Sequence, residues 1–325
     1  MNVLVVGGAG YVGGAVTDAL LTSEHSIRVY DALLYEESYR KPVDFVFGDV
    51  RDQERLLPHL RWADAVVWLA AIVGDGACQL NPEITVEVNQ EAVGWMVRHF
   101  NGRIIFLSTC SVYGAQDNVE LTEDSQTAPL SMYAASKLEA EAYLRDANAI
   151  TFRLGTLFGV GDEFSRVRFD LVVNTLAVRA WQNGKISVFG GDQFRPLLHV
   201  KDAAQAAVDN LTTTATGIFN LHRQNVRIID LAYQVRNHFP DLVIEQTPMP
   251  FQDLRNYRVR SDKANRVLGF KATHSIDAGI EEMKCLVEDN RIKDVFNPRY
   301  TNQAFLSMFN THKELAKGTT TGVLG

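Results

Sequence analysis

Short apolar runs and amphipathic stretches alternate along the chain from its first residue. Asn2 to Val6, Ser26 to Tyr30, Asp44 to Phe47, Asp64 to Leu69 and Arg103 to Leu107 are four to six residues long, mostly apolar and rich in β-branched or aromatic side chains. Such runs predict strands buried on both faces of a parallel sheet. Between them lie Tyr11 to Thr22, Arg55 to Leu60 and Pro82 to Phe100, which predict helices. Strand and helix in turn indicate an α/β architecture built on a doubly wound parallel sheet. A polar turn, Asp117 to Ala128, precedes a helix from Ser131 to about Asp146, a strand over Ala149 to Arg153 and a loop over Leu154 to Asp162. Phe169 to Trp181 keeps Leu171, Val172, Leu176, Ala177 and Ala180 on one stripe and predicts a helix with a single buried face. Lys185 to Phe189, Ile218 to Leu221 and Asp241 to Glu245 read as strands; Val200 to Asn210, Ile228 to Phe239, Lys263 to Leu268 and Ile276 to Val287 read as helices.

Composition narrows the class of partner. The 325 residues are 46% hydrophobic and 22% charged, with a formal net charge of −7. A chain of that length buries a sizeable core without metal or disulfide staples. The acidic balance carries no basic footprint for nucleic acid or an anionic membrane, although local cationic pockets for a phosphorylated small molecule remain compatible with it. No window of eighteen uninterrupted apolar residues is present, so no membrane span is expected. Cys78, Cys110 and Cys285 are scattered without metal-ligand spacing, which fits a reducing, cytoplasmic setting.

The first strand runs straight into glycines at 7, 10 and 13. A glycine turn between strand and helix lets backbone approach a pyrophosphate, and the helix N-terminus favours its negative charge. The second run ends at Asp31, where a carboxylate accepts hydrogen bonds from the adenosine ribose hydroxyls and repels a 2′-phosphate. NAD is therefore expected rather than NADP. Asp49, just past the third strand, is placed for the adenine amino group, with Val50 against the ring; Leu69, Ala70 and Ala71 end the fourth strand with little bulk beside the cofactor.

The fifth strand ends in Ser108-Thr109-Cys110-Ser111-Val112-Tyr113-Gly114, hydroxyls and a thiol at the edge where open α/β sheets place their chemistry. Tyr133 and Lys137 then stand four apart on a helix and share a face. An ammonium near a phenol favours the phenolate, as a general base for an alcohol proton requires.

Taken together, Gly7-Gly8-Ala9-Gly10-Tyr11-Val12-Gly13, Asp31, Gly48-Asp49-Val50-Arg51-Asp52, Leu69-Ala70-Ala71, Asn89, Ser108 to Gly114 and the Tyr133/Lys137 pair resemble the extended branch of the short-chain dehydrogenase/reductase superfamily, in particular its nucleotide-sugar epimerases and dehydratases. Later matches are Arg195 in Phe-Arg-Pro-Leu-Leu-His-Val-Lys-Asp, Asp253 to Tyr257, Lys263 and Leu268 to Phe270, so the resemblance reaches about residue 287. It implies a Rossmann-type NAD-binding domain over residues 1–165, its last strands completed by later segments. A smaller C-terminal α/β substrate-binding region, 166–287, would close over a nucleotide-diphosphate sugar. The tail, 288–325, lies outside the resemblance and receives no role.

The resemblance also implies residue roles. NAD would be held by Gly7, Gly10, Tyr11, Val12, Gly13, Asp31, Asp49, Val50, Leu69, Ala70, Ala71, Asn89 and Ser108, together with Tyr133 and Lys137. Thr109 would bind the sugar hydroxyl being oxidised, Tyr133 would take its proton, and Lys137 would bind the nicotinamide ribose while lowering the tyrosine pKa. Arg195 and Arg255 would grip the diphosphate, and Asp170, Asn174, Cys110 and Ser111 would face the substrate. His199 is expected to be structural. The related 4,6-dehydratases carry an Asp-Glu pair after the threonine, where this chain has Cys110-Ser111, so elimination of water is disfavoured and C4 epimerisation is the leading expectation. A 4-dehydrogenase uses the same residues; a 3,5-epimerase with a cysteine acid/base and a catalytically silent NAD-binding sensor rank below it. Family members commonly form homodimers through the Tyr133 helix and the one before it, so Ala134, Leu138 and Ala142 would meet either a partner or the internal core.

Overall fold

The computed structural model describes residues 1–116, 119–164, 166–248 and 256–308. In the first half, strands β1 (Asn2–Val6), β2 (Ser26–Asp31), β3 (Asp44–Phe47), β4 (Ala65–Trp68) and β5 (Arg103–Thr109) are joined by α1 (Tyr11–Leu21), α2 (Gln53–Trp62), α3 (Asp75–Leu80), α4 (Pro82–Val86), a π turn (Glu87–Glu91) and α5 (Ala92–His99). A two-residue strand β6 (Glu120–Leu121), helix α6 (Met132–Tyr143) and strand β7 (Ala149–Leu154) follow. The second half contributes β8 (Thr156–Phe158), α7 (Val172–Asn183), β9 (Lys185–Phe189), β10 (Phe194–His199), α8 (Val200–Asp209), β11 (Gly217–Leu221), β12 (Gln224–Arg227), α9 (Ile228–His238), β13 (Val243–Thr247), β14 (Arg258–Val259), α10 (Asp262–Leu268) and α11 (Ile276–Glu288).

Seven strands form one sheet in the order β11-β7-β5-β4-β1-β2-β3, and every neighbouring pair is parallel. Successive side chains of a strand point to opposite faces. Val3 and Val5 accordingly enter a core with α1 and α8, while Leu4 and Val6 enter another with Leu56, Leu60, Val93, Met96 and Ala140 from α2, α5 and α6. The strand order reverses beside β1, with β4 on one side and β2 on the other, and such a switch point opens a crevice at the carboxyl edge.

The second lobe packs around Phe158, Val173, Leu176, Ile186, Val188, Val235, Ile280 and Met283. Its sheets are small: β12-β10-β8 and β13-β9, while β14 pairs with β6. Two further strands appear, one inside the segment read as a loop and one in a segment to which the sequence reading assigns no element. Thr156–Phe158 and Phe194–His199 pair in parallel, and β12 adds antiparallel to the latter. Both are short, and Arg195 and Pro196 interrupt any apolar period, so only the long-range partner reveals them. The helix expected over Pro82 to Phe100 is also interrupted by the π turn, which carries Asn89 into the interior at 1% exposure. None of the described helices is long and apolar enough to cross a membrane.

Candidate active site

The glycine turn is built for close approach. Gly7 has φ +88°, a conformation side chains resist, and a Cβ on it would stand 2.5 Å from the Ala70 nitrogen. A Cβ on Gly13 would stand 2.5 Å from the Gly7 carbonyl oxygen. The N-terminus of α1 has neither a side-chain cap nor an acidic residue in its first turn, so its free N–H groups suit an anion. Asp31 sits beside it: one carboxylate oxygen accepts from the Ala9 N–H at 2.9 Å and the other from the Leu33 N–H at 2.7 Å. Burial raises its pKa while these two hydrogen bonds oppose the rise, and each oxygen keeps a lone pair for a ribose hydroxyl. The cradle therefore fits a dinucleotide. Val12, Leu69, Ala70 and Ala71 are partly buried around it, and Val50 is buried.

Thr109, Tyr133 and Lys137 converge at the end of β5. Lys137 is 3% exposed; its Nζ donates to the Leu107 carbonyl at 2.8 Å and lies 4.6 Å from the centre of the Phe106 ring. Burial pulls the ammonium down to about 8. Tyr133 behaves differently from the sequence expectation. Burial, with a further push from Cys78, raises its pKa, and the leading opposing influences are Arg168 and the Thr109 hydroxyl. Desolvation of a phenolate in this pocket outweighs the neighbouring cations. The Thr109 hydroxyl also caps the short 3-10 turn Cys110–Tyr113 by accepting from the Ser111 N–H at 3.1 Å.

Several expected contact residues are engaged with the protein itself. Asn89 uses its whole amide: Oδ1 accepts from the Ile72 N–H, and Nδ2 donates to the Ile72 carbonyl and the Ser136 hydroxyl. It thus shapes the segment after β4. Ser108 donates to Glu141, which also pairs with Arg153 at 2.7 Å. The Tyr11 hydroxyl donates to the Gly159 carbonyl at 2.7 Å, tying α1 to the second lobe. Asn174 accepts from the Gly159 N–H and donates to the Arg168 carbonyl, so its amide braces a loop. Asp49 is gripped by the Arg51 guanidinium, whose hydrogen bonds hold its carboxyl below the usual range despite partial burial. The Cys110 thiol is fully buried among Val112, Tyr113, Leu121, Tyr257 and Val259, and burial pushes its pKa up, away from acid/base use. Ser111 lies 3.2 Å from the Tyr257 hydroxyl. Arg195 is 6% exposed and donates to the Phe194 carbonyl. Arg255 lies outside the described residues, as do Asp253 and Leu254. Ala134 and Leu138 pack internally, while Ala142 is exposed.

Residues 3–221 match the model of the NAD dependent epimerase/dehydratase family, well over half of the chain. The chain belongs to that family. NAD is its cofactor, and it is an enzyme of the nucleotide-sugar epimerase/dehydratase group. A UDP-glucose 4-epimerase from Corynebacterium glutamicum is 27% identical over 318 residues, 89% of this chain and 94% of that protein. A dTDP-glucose 4,6-dehydratase from Escherichia coli is 26% identical over 333 residues, 87% of this chain and 91% of that one. The crystal structure of the Thermus thermophilus UDP-glucose 4-epimerase complex with NAD shares the fold, with a TM-score of 0.76 and 22% identity, covering 87% of this chain and 99% of that one.

In this epimerase/dehydratase the structure brings further groups to the site that the sequence reading passes over. Arg168 donates to Asp170 at 2.9 Å and, through its charge, opposes the rise at both Tyr133 and Tyr11. Arg166 lies 3.8 Å from the centre of the Tyr35 ring. Their signal is the alternation in Arg166-Val167-Arg168-Phe169-Asp170, cations spaced as on one side of an extended segment. Among the described residues, no cluster of three or more potential metal ligands is present.

Proposed function

We propose that this enzyme is a C4 epimerase of a nucleotide-diphosphate sugar. The observation that carries the reading is a single proton-handling side chain at the chemical edge. Tyr133 stands beside Thr109, whereas the two residues after Thr109 offer a thiol sealed in the core and a hydroxyl, not the carboxylates of an elimination. Thr109 holds the C4 oxygen, and Tyr133 accepts its proton once the positive charges of Lys137 and of a bound oxidised nicotinamide offset the burial that otherwise keeps the phenol protonated. Lys137 holds the nicotinamide ribose and supplies positive charge nearby. Arg195 meets the diphosphate, and Arg255 is assigned the same task from the sequence alone. Bound NAD supplies the hydride acceptor and then the donor for C4. The protein's part is to keep the base dry and to let the keto sugar turn about its diphosphate anchor before Tyr133 returns the proton.

The test is proton NMR of a panel of nucleotide sugars with trace enzyme and no added NAD, with absorbance at 340 nm read in parallel. Many turnovers to a C4 epimer without lasting NADH are expected. Conversion that halts near one equivalent while NADH accumulates establishes a 4-dehydrogenase instead. In the same assay Tyr133→Phe retains NAD and loses about 10²–10⁴-fold in turnover, the range for a positioned general base; an unimpaired variant removes Tyr133 from that role.

A further inference from the structure

Residues 298–308, beyond the segment matched to the family, cross the mouth of the cofactor crevice. They begin at the second lobe and reach both loops that flank the glycine turn. Arg299 pairs with Glu36, five residues past Asp31, at 3.0 Å, and its carbonyl accepts from Arg166. The Tyr300 carbonyl accepts from the Phe169 N–H at 2.8 Å, and the two rings meet at 4.9 Å. Residues 302–308 are helical, and Phe305 lies 5.1 Å from Tyr35, ring centre to ring centre. Leu306 packs on the far side against the cluster of Ile72, Ala77 and Cys78 that also receives Tyr133. Tyr35 and Glu36 follow β2 on the adenosine side; Ile72 follows β4 on the nicotinamide side. A chain that touches both would span a dinucleotide bound between them.

Asn302 is the pin. It is 3% exposed and makes three contacts: its backbone N–H donates to Asp170 at 2.9 Å, its Oδ1 accepts from Arg166, and its Nδ2 donates to the Val73 carbonyl at 2.7 Å. The other oxygen of Asp170 orients Arg168. A single side chain therefore joins the loop after β4 to the second lobe and holds the strap shut. We propose that Asn302 is a positioning residue that fastens residues 298–308 over the bound dinucleotide, so that NAD stays with the enzyme between turnovers. The inference rests on the NAD site and is independent of which sugar is turned over.

The test loads the full chain with NADH, chases it with excess NAD and follows NADH fluorescence. Asn302→Ala is expected to release NADH about tenfold faster or more, whereas Val235→Ala, a cavity in the second lobe's own core, changes the rate by less than about twofold. An unchanged rate in Asn302→Ala, or equal acceleration in Val235→Ala, overturns the proposal. Hydrogen exchange on the unaltered protein gives a second reading should Asn302→Ala fail to fold. Added NAD is expected to protect amides of residues 298–308 along with those of the glycine turn; protection confined to the turn overturns the proposal.

Discussion

Lys137 shows how a single residue at the site trades stability for chemistry. Its ammonium is buried against Phe106 and held by one carbonyl, and burial brings it from near 10.5 to about 8. Because the folded value lies below the unfolded one, the penalty on folding is complete below pH 8 and fades as pH rises from about 8 to 10.5, where the folded amine has already lost its proton. At 1.36 kcal/mol per unit the penalty is about 3 kcal/mol. Lys137→Met should stabilise the apoprotein at pH 7 by about 2 to 3 kcal/mol in urea unfolding, with the gain vanishing above pH 10.5. A gain that grows with pH would contradict this. The Tyr133/Lys137 pair is legible from helical spacing alone. That the phenol is held protonated by burial is not, because desolvation depends on what covers the ring.

At the scale of elements, α6 is held against the sheet by a polar network inside an apolar layer. Glu141 receives Arg153 from β7 and Ser108 from β5, while Arg153 also donates to Tyr113, which in turn donates to Asn220 of β11. The pair is 5% and 3% exposed at its side chains. Breaking a buried pair leaves a charge without a partner, whereas removing both partners is far less costly. Glu141→Met should cost about 3–5 kcal/mol in chemical denaturation, and adding Arg153→Met should recover part of that loss. A double variant less stable than the single one would refute the account. The strands and helices of this lobe follow from their apolar periods. The network does not, since Glu141 lies on the helix among ordinary surface-type residues and only the parallel order of β5, β7 and β11 puts it beside Arg153. The strands β8 and β10 escape a reading of the sequence for the same reason: their pairing partner is remote in the chain.

For the whole molecule, the loop at Gly159 is the joint between the lobes. Its carbonyl receives the Tyr11 hydroxyl from α1, its N–H meets Asn174 of α7, and the next N–H, Val160, donates to Glu282 of α11 at 2.7 Å. His199 and Lys201 also reach Glu282, each at 2.9 Å. Burial works against its charge, but the His199, Val160 and Lys201 contacts prevail and bring its pKa to about 2. A carboxylate with a depressed folded value contributes fully above about pH 4.5 and loses that contribution as pH falls towards 2. The contribution is about 2 to 3 kcal/mol, discounted for a side chain that is 25% exposed. Thermal melts of wild type and Glu282→Gln should converge between pH 4.5 and about 2; a constant difference across that window would show that Glu282 does not carry the acid sensitivity.

The sequence by itself determined what local physics can write into a chain: the alternating strands and helices, the glycine turn that only backbone without a Cβ can form, Asp31 at the end of its strand, and Tyr133 with Lys137 one turn apart. Each depends on residues within a few positions of one another. The tertiary structure decided which polar groups remain available once folding has engaged the rest. Asn89 and Asn174 go to backbone, Ser108 to Glu141, and Cys110 to the core. It also brought Asn302 across the crevice to Val73 and Asp170. These hydrogen bonds join positions from 15 residues apart, as in Asn174 with Gly159, to 229 apart, as in Asn302 with Val73, and no periodicity in the chain encodes such distances.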